Sequence, residues 1–302
     1  MKLIAFIHRR SDPRPGLWLD DAWSLVDLAH PALGLPAPAN PLEVFDLDGA
    51  FLRAARGVAE RCEQEHGLER VRALGAIVPR HEAELLAPVP RPGKIVCIGK
   101  NYREHADEMA SSLPVRPLVF SKFPSSVNAP GGVVRIPRGS QCLDYEAELG
   151  VVIGRRAARV ARADALEHVL GYCCFNDFTA RDFQKLDGQW QRGKSCDGLA
   201  PFGPFLATAD EIPDPHELHI QLRLNGTTMQ DSNTRLLIFG VDVLIESISE
   251  HVTLEPGDVI ATGTPGGVGF ARTPPVFLRP GDELEVEIDG LGVLRNAVGP
   301  SD

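Results

Sequence analysis

The segment Cys142–Gly154, with the sequence CLDYEAELGVVIG, constrains the fold of this chain more than any other stretch. Its run of Val and Ile, bounded by glycine, is typical of a buried β-strand. Because side chains alternate between the two faces of a strand, Asp144, Glu146 and Glu148 are predicted to share one face. Neighbouring carboxylates beside an apolar run resist burial unless a cation or bound protons compensate their charge. The segment therefore indicates either a solvated strand face or a cation site.

A further acidic residue favours the cation site. The apolar segment Leu170–Asp177 is predicted to form another strand, and it ends in an acid. Together Glu146, Glu148 and Asp177 make an oxygen-only ligand set, which suits Mg²⁺ or Mn²⁺ better than zinc.

Net charge, apolar runs and cysteine spacing argue against several classes of protein. The formal net charge of -10 argues against nucleic acid or an anionic membrane as a partner. No apolar run reaches the roughly 18 residues of a membrane span, and the N-terminus lacks the layout of a signal peptide. The six cysteines show no CxxC pair, which favours unpaired thiols in a reducing compartment. We therefore expect a cytoplasmic protein.

The chain is predicted to divide into two units. Residues 1–90 read as a small N-terminal α/β domain, with a strand at Met1–Ile7 and an amphipathic helix within Leu47–Glu65. The segment Leu86–Gly93 carries three prolines and is typical of an extended linker. Residues 91–302 then form the larger domain, where the acidic segment lies. With 29 Gly and 25 Pro, the chain should be rich in turns and in β-structure.

A short helix after the strand Lys94–Gly99 is predicted to carry an acid–base pair. Asn101 is a suitable N-cap, and His105 and Glu108 are three residues apart on one helical face. A carboxylate that contacts an imidazole holds one tautomer and raises the basicity of the other nitrogen, as a water-activating base requires. The alternative is an incidental pair on a solvated helix. The polar, proline-containing segment 110–116 that follows could place this helix on a mobile loop.

Three hydrogen-bond donors follow Asp177 within twenty residues: Arg181, Gln184 and Lys194. Each could bind a carboxylate or a developing oxyanion, although each alone is more typical of a surface residue. Their grouping beside a candidate metal ligand predicts a site.

Eight segments together give the chain a family resemblance. It resembles the fumarylacetoacetate hydrolase superfamily, and in particular the fumarylacetoacetate hydrolase domain-containing proteins. The matching segments keep the family's order across residues 94–294: GKNYREHADEM, FSKFPSSV, DYEAELGVVIG, FNDFTARDFQ, RGKSCDGLAPFGP, NGTTMQDSNT, PGDVIATGTPGGVG and RTPPVFLRPGDELEVEIDGLG.

The resemblance implies an α+β, mainly β fold that is organised as a mixed β-sandwich roll. Members of the family usually form homodimers through this domain. It implies that Glu146, Glu148 and Asp177 bind a divalent metal, usually Mg²⁺ or Mn²⁺ and sometimes Ca²⁺. It also implies that His105 and Glu108 orient or deprotonate a water molecule. The other implied roles are catalytic for Lys194 and substrate-binding for Arg181, Gln184, Thr264 and Tyr102. For Thr264, a tight turn between two strands is the alternative.

These features predict a metal-dependent enzyme that acts on a small 2-oxo or 2,4-dioxo acid. Hydrolysis of a C–C bond in an acylpyruvate, a fumarylpyruvate or a diketo sugar acid is the first expectation, because the dyad can activate water. The alternatives are an oxaloacetate tautomerase or decarboxylase, a hydratase or isomerase of aromatic catabolism, and a ligand-binding member without catalysis. Hydrolysis of the C–C bond, decarboxylation and tautomerisation all need enolate stabilisation at the same site.

Overall fold

The computed structural model describes residues 1–9, 11–19, 23–38, 40–108, 112–186 and 188–301. These ranges contain nineteen strands and six α-helices, and strands dominate. The predicted α+β, mainly β fold class is therefore confirmed.

The strands are β1 (Lys2–His8), β2 (Arg14–Trp18), β3 (Ser24–Asp27), β4 (Ile77–Pro79), β5 (Ala83–Leu86), β6 (Ile95–Gly99), β7 (Leu118–Lys122), β8 (Val127–Asn128), β9 (Val133–Arg135), β10 (Leu143–Asp144), β11 (Ala147–Ile153), β12 (Val169–Asn176), β13 (Thr179–Ala180), β14 (Ala200–Thr208), β15 (His219–Leu224), β16 (Thr227–Asn233), β17 (Val259–Ala261), β18 (Glu283–Ile288) and β19 (Gly292–Gly299). The helices are α1 (Ala50–Glu63), α2 (Gly67–Ala73), α3 (Arg103–Glu108), α4 (Arg181–Leu186), α5 (Gln191–Lys194) and α6 (Val241–Ser249).

A large mixed sheet organises the molecule. Its main path runs β4-β3-β2-β1-β14-β12-β11-β17-β6-β7, and β16-β15-β18-β19-β9 form a second sheet. Strand β11 lies near the middle, antiparallel to both β12 and β17. Every residue of β11 and β12 is buried, as expected for an apolar run that is covered on both faces.

The two faces of the large sheet bury different cores. On one face, Val151 of β11 belongs to the same apolar cluster as Leu222 and Val286 of the second sheet. On the other face, Val152 belongs to a cluster that includes Leu52 of α1. The alternation of side chains along β11 therefore ties the second sheet and the N-terminal helix to one central strand.

The sheet continues across the predicted domain boundary. Strand β1 forms where a strand was predicted and pairs antiparallel with β14, with Leu3 opposite Leu206. Helix α1 lies within the predicted helical segment Leu47–Glu65. The boundary between residues 90 and 91 stays a prediction; the N-terminal strands share one sheet with the rest of the chain.

No helix within the described ranges is both long enough and apolar enough to cross a membrane. All six cysteines are free thiols, as predicted. Three of them are buried, namely Cys97, Cys173 and Cys174, and the other three are partly exposed.

Candidate active site

The acidic segment is not the single continuous strand that the sequence predicts. Strand β10 ends at Asp144, and β11 begins only at Ala147. Between them the Glu146 N–H donates to Asn176 Oδ1 at 3.0 Å, and the Ala147 N–H donates to Gln230 Oε1 at 2.9 Å. Because side-chain acceptors satisfy this backbone, no neighbouring strand is needed, and β10 and β11 pair with different strands.

Glu146, Glu148 and Asp177 nevertheless converge. All three are buried, and a carboxylate oxygen from each lies within 4.8 Å of the others. The register explains this, because Ala147 lies opposite Asn176, the last residue of β12. The Asp177 N–H then donates to the Glu146 carbonyl oxygen at 2.9 Å. Adjacent antiparallel strands thus bring the three acids together.

Buried cations compensate most of this negative charge. Lys194 Nζ donates to Glu146 Oε2 and, at 2.6 Å, to Asp177 Oδ2. Lys122 Nζ donates to Asp177 Oδ1 at 2.7 Å, and Arg181 Nη2 donates to Glu146 Oε1 at 2.6 Å. The carboxyl group of Glu148 instead accepts the backbone N–H of Gly263 at 2.8 Å.

The two glutamates differ in ionisation because their partners differ. Burial opposes the ionisation of Glu146, but Arg181 and Lys194 outweigh it and lower the pKa of Glu146 below its ordinary value. Burial, Asp177 and Glu146 raise the pKa of Glu148 well above its ordinary value. Lys194 shows the reverse balance: burial would lower its pKa, but Asp177 and Glu146 raise it.

The donor set fits a hard divalent cation. Each carboxylate oxygen offers two acceptor positions, so an oxygen that accepts one hydrogen bond can still ligate a metal. Within the described residues no cationic side chain donates to Glu148, and a divalent cation beside it would stabilise its ionised form. Three carboxylate oxygens, from Glu148 on β11 and from Glu146 and Asp177 beside the ends of β11 and β12, are the kind of ligand that Mg²⁺ and Mn²⁺ prefer.

His105 and Glu108, the predicted pair, are in contact on α3. His105 Nδ1 and Glu108 Oε1 lie 2.8 Å apart, and the other oxygen of Glu108 accepts the Gly267 N–H at 2.8 Å. His105 is buried, so this is not a solvated surface pair. A carboxylate at this distance favours the tautomer with the ring proton on Nδ1, in which Nε2 carries a free lone pair.

Asn101 does not act as the predicted N-cap of α3. Its amide nitrogen donates to the Phe239 and Thr262 carbonyl oxygens at 3.0 and 2.7 Å. Its amide oxygen accepts the Phe239 N–H at 2.9 Å. The side chain therefore ties the start of the dyad segment to two other loops. In the predicted mobile loop 110–116, residues 110 and 111 lie outside the described residues.

A cavity of about 350 Å³ opens onto these groups. Its lining contains seven of the predicted site residues: His105, Glu146, Glu148, Arg181, Gln184, Lys194 and Thr264. Asp177 and Glu108 are not in the lining. Asp177 contacts the lining residue Lys194, and Glu108 contacts the lining residue His105. Tyr102 is also not in the lining; its side chain is fully buried, and its hydroxyl has no hydrogen-bond partner among the described residues. Burial and Glu148 raise the pKa of that hydroxyl.

Three residues that support the site were missed by reasoning from sequence alone. Lys122 binds Asp177, and Gln230 holds the acidic segment. Asp144 was placed on the acidic face without a role; its carboxylate accepts from Arg181 Nε at 2.8 Å and from the Phe270 N–H at 3.0 Å. The sequence offered one signal for Lys122. It is the last residue of the apolar strand LVFSK, and a buried charged residue is usually paired.

The same segments match known proteins. Residues 94–299 match the sequence profile of the fumarylacetoacetate (FAA) hydrolase C-terminal domain. Oxaloacetate tautomerase FAHD2A, mitochondrial, from Homo sapiens is 47% identical over 278 residues, which cover 90% of this chain and 88% of that protein. Oxaloacetate tautomerase YisK from Bacillus subtilis (strain 168) is 42% identical over 293 residues, which cover 94% of this chain and 95% of that protein.

The fold is also similar to solved structures. Fumarylacetoacetate hydrolase (EaFAH) from Exiguobacterium antarcticum superposes with a TM-score of 0.78 at 36% identity, and 99% of each chain is covered.

Proposed function

Because this chain belongs to the fumarylacetoacetate hydrolase family, we propose that it is an enzyme that interconverts the keto and enol forms of oxaloacetate. The observation that carries the proposal is its similarity, along nine-tenths of the chain, to proteins named oxaloacetate tautomerase in an animal and in a bacterium. The sequence alone ranked this activity second, behind C–C hydrolysis. The order is reversed here because these two relatives, each at least 42% identical along nine-tenths of this chain, bear the tautomerase name.

The reaction needs one group that can accept and return a proton. Tautomerisation moves a proton between carbon 3 and the oxygen on carbon 2, and it consumes neither water nor an oxidant. His105 lines the cavity, and its Nε2 is free of the contact that Nδ1 makes with Glu108. His105 would accept the carbon-bound proton, Glu108 would stabilise the imidazolium, and the same nitrogen would return the proton to oxygen.

The remaining side chains would bind the oxo acid and stabilise its charge. Arg181 and Gln184 lie on α4 within hydrogen-bond distance of each other, at 3.2 Å, and both line the cavity. Their nitrogens suit a substrate carboxylate, as does the hydroxyl of Thr264. Lys194, charged between two carboxylates, would stabilise negative charge on the enolate.

We also propose that Glu146, Glu148 and Asp177 hold Mg²⁺ or Mn²⁺, with Ca²⁺ as a further candidate. When bound, the ion would supply positive charge against which the enolate form is stabilised. The buried triad and the elevated pKa of Glu148, raised by burial and its acidic neighbours, support the site.

The test follows the ultraviolet absorbance of enol oxaloacetate as it decays to the keto form, with Mg²⁺ or Mn²⁺ and with a chelator. We expect acceleration by the metal-loaded enzyme and about a 10²- to 10⁴-fold loss in His105→Gln, the usual contribution of a general base. The proposal fails if the wild-type enzyme with either metal leaves the decay unchanged. Metal-dependent thermal stabilisation without turnover on any oxo acid would instead indicate a ligand-binding protein.

Hydrolysis of a C–C bond is the second candidate, and the His105–Glu108 pair favours it. The same Nε2 that would accept a carbon-bound proton could deprotonate water. The cavity of about 350 Å³ also has room for an acyl group beyond a four-carbon acid. A screen for pyruvate release from acylpyruvates and oxaloacetate separates this activity and decarboxylation from tautomerisation, which releases no pyruvate.

We further propose a homodimer, as the family resemblance implies. Strand β7 ends the main path of the large sheet. Leu118, Val119 and Phe123, on and beside it, are all exposed. An apolar edge strand is a ready surface for another copy of the chain. Light scattering on the wild type and on Val119→Lys tests this; we expect a dimer that the charge weakens, whereas a monomeric wild type would contradict it.

We propose the cytoplasm, or another reducing compartment, as the location. Six free thiols, three of them buried, suit a compartment that keeps cysteines reduced. Fractionation of cells that express the full-length protein tests this proposal.

A further inference from the structure

The cations around the cavity fall into two groups. Arg181 and Lys194 are buried and engaged by carboxylates at the metal site. Lys100 and Lys185 line the same cavity, but within the described residues neither forms an ion pair. Two uncompensated ammonium groups that line one cavity of an acidic protein indicate that this cavity binds an anionic ligand.

Lys185 is positioned without being neutralised. Its ammonium lies 4.0 Å from the centroid of the Phe270 ring, which also lines the cavity. A cation–π contact attracts the ammonium to the ring but leaves its charge and its hydrogen-bond donors available. Phe270 is itself held, because its N–H donates to the buried Asp144 at 3.0 Å. The position of Lys185 is therefore tied to the framework of the site.

The spacing along α4 places Lys185 near Arg181, the residue that would bind the substrate carboxylate next to the oxo group. Arg181 and Lys185 are four residues apart and share one helical face, with Cβ atoms roughly 5–6 Å apart. The Arg181 guanidinium lies 6.0 Å from the same Phe270 ring. Two cations one helical turn apart, over one aromatic ring, match the two ends of a short dicarboxylate.

Lys100 is the second of these cations in the cavity lining. It lies between β6 and α3 with a φ of 56°, in the left-handed region that a residue with a side chain seldom adopts. Such strain at a cavity-lining position persists only where the surrounding structure holds it. The backbone there places a second unpaired cation at the cavity.

We infer that Lys100 and Lys185 form a recognition site for a second carboxylate of the substrate, so that the enzyme selects oxo dicarboxylates over oxo monocarboxylates. The inference rests on the proposed function and deepens it, because it names the residues that determine specificity. Arg181 binds the carboxylate next to the oxo group, and the two lysines bind the far one. A substrate whose far carboxylate is esterified loses these charge-assisted hydrogen bonds.

The experiment compares oxaloacetate with its 4-methyl ester in the wild-type enzyme, Lys185→Met, Lys100→Met and the double variant, all loaded with Mg²⁺. We expect kcat/KM for the diacid to fall about ten- to a hundredfold in the variants, mostly through KM, and the value for the ester to stay unchanged. Lys185→Arg should keep the preference for the diacid. Arg279→Met removes one exposed charge outside the cavity and controls for net charge.

Two results would overturn the inference, and they differ. If the wild type accelerates neither substrate, the proposed function fails and takes this inference with it. If the wild type accelerates oxaloacetate but the lysine variants keep its preference for the diacid over the ester, only the recognition site is wrong. Because Lys185 is exposed and Lys100 partly so, both variants should fold, which their thermal unfolding midpoints will confirm.

Discussion

The buried amide of Gln230 fixes the hydroxyl of Thr264: Gln230 Nε2 donates to Thr264 Oγ1 at 2.8 Å and to the Pro265 carbonyl oxygen at 2.9 Å. The amide oxygen of Gln230 accepts the Ala147 N–H, between the two glutamates. Since Thr264 Oγ1 already accepts a hydrogen bond, its own hydrogen is available to an acceptor in the cavity that Thr264 lines. One side chain therefore orients both the acidic segment and a donor to the substrate.

Gln230→Leu should weaken both stability and substrate binding. It leaves the Ala147 N–H buried without its acceptor, which costs about 1–3 kcal/mol in the free energy of unfolding. It also frees the Thr264 hydroxyl to rotate, so KM should rise more than kcat falls. Urea denaturation and steady-state kinetics measure the two effects.

Gln230→Glu separates these effects. A carboxylate keeps the acceptor for Ala147 but loses the donor, so Thr264 would donate toward residue 230 rather than toward the cavity. We expect an increase in KM that exceeds the one in Gln230→Leu. An unchanged KM in both variants would show that the Thr264 hydroxyl does not bind the substrate.

Lys122→Met should destabilise the fold more than the matched variant Lys94→Met. Lys122 and Asp177 are fully buried and 2.7 Å apart, whereas Lys94 is 35% exposed and 2.6 Å from Asp258. Removing one partner from a buried pair costs about 3–5 kcal/mol. Here Asp177 Oδ1 and the Phe178 carbonyl oxygen lose their donor while Lys194 still donates to Asp177 Oδ2, so we expect a loss near the lower end of that range. Water can solvate the partly exposed pair, so its loss should be smaller. Equal losses in urea denaturation would contradict this account.

Sequence patterns were informative where neighbouring residues decide the structure. Helix α1 lies within the predicted helical segment Leu47–Glu65, and α3 carries the predicted His105 and Glu108 pair. The acids at 146, 148 and 177 could be grouped because two apolar runs, each with acids beside it, predicted two strands. In each case a local periodicity or a run of one residue type carried the information.

Contacts between distant segments could not be predicted in this way. Gln230 binds Ala147 across 83 residues, and no local periodicity in its own segment predicts that contact. That contact is also why the acidic segment breaks at Glu146, where a strand pattern alone predicts continuity. Asn101 fits an N-cap locally, but its side chain instead binds Phe239, 138 residues away. Tertiary partners decided these positions, and local propensity did not.

Gly267→Ala should impair the dyad while metal binding is kept. Gly267 has a φ of 100°, and a Cβ there would overlap the carbonyl oxygen of Met229. The loop must then shift, which breaks the hydrogen bond from the Gly267 N–H to Glu108 Oε2. We expect kcat to fall with little change in the affinity for Mn²⁺, measured by calorimetry. Equal losses in kcat and in metal affinity would show that the loop supports the whole site.

Glu148→Gln should separate the metal site from the fold. Burial, Asp177 and Glu146 raise the pKa of Glu148 well above its ordinary value, so the folded protein disfavours the charged form. Replacing it with a neutral amide should therefore leave the unfolding midpoint in chelator unchanged or higher. Stabilisation by the metal, about 2.7 kcal/mol at a hundred times Kd, should disappear together with turnover.

The matched control for this variant is Glu84→Gln, which removes a carboxylate from an exposed position on β5. It should keep both the metal-dependent rise in the midpoint and the full turnover. If Glu148→Gln instead behaves like this control, Glu148 is not a ligand, and the three acids do not bind the ion on which the proposed chemistry depends.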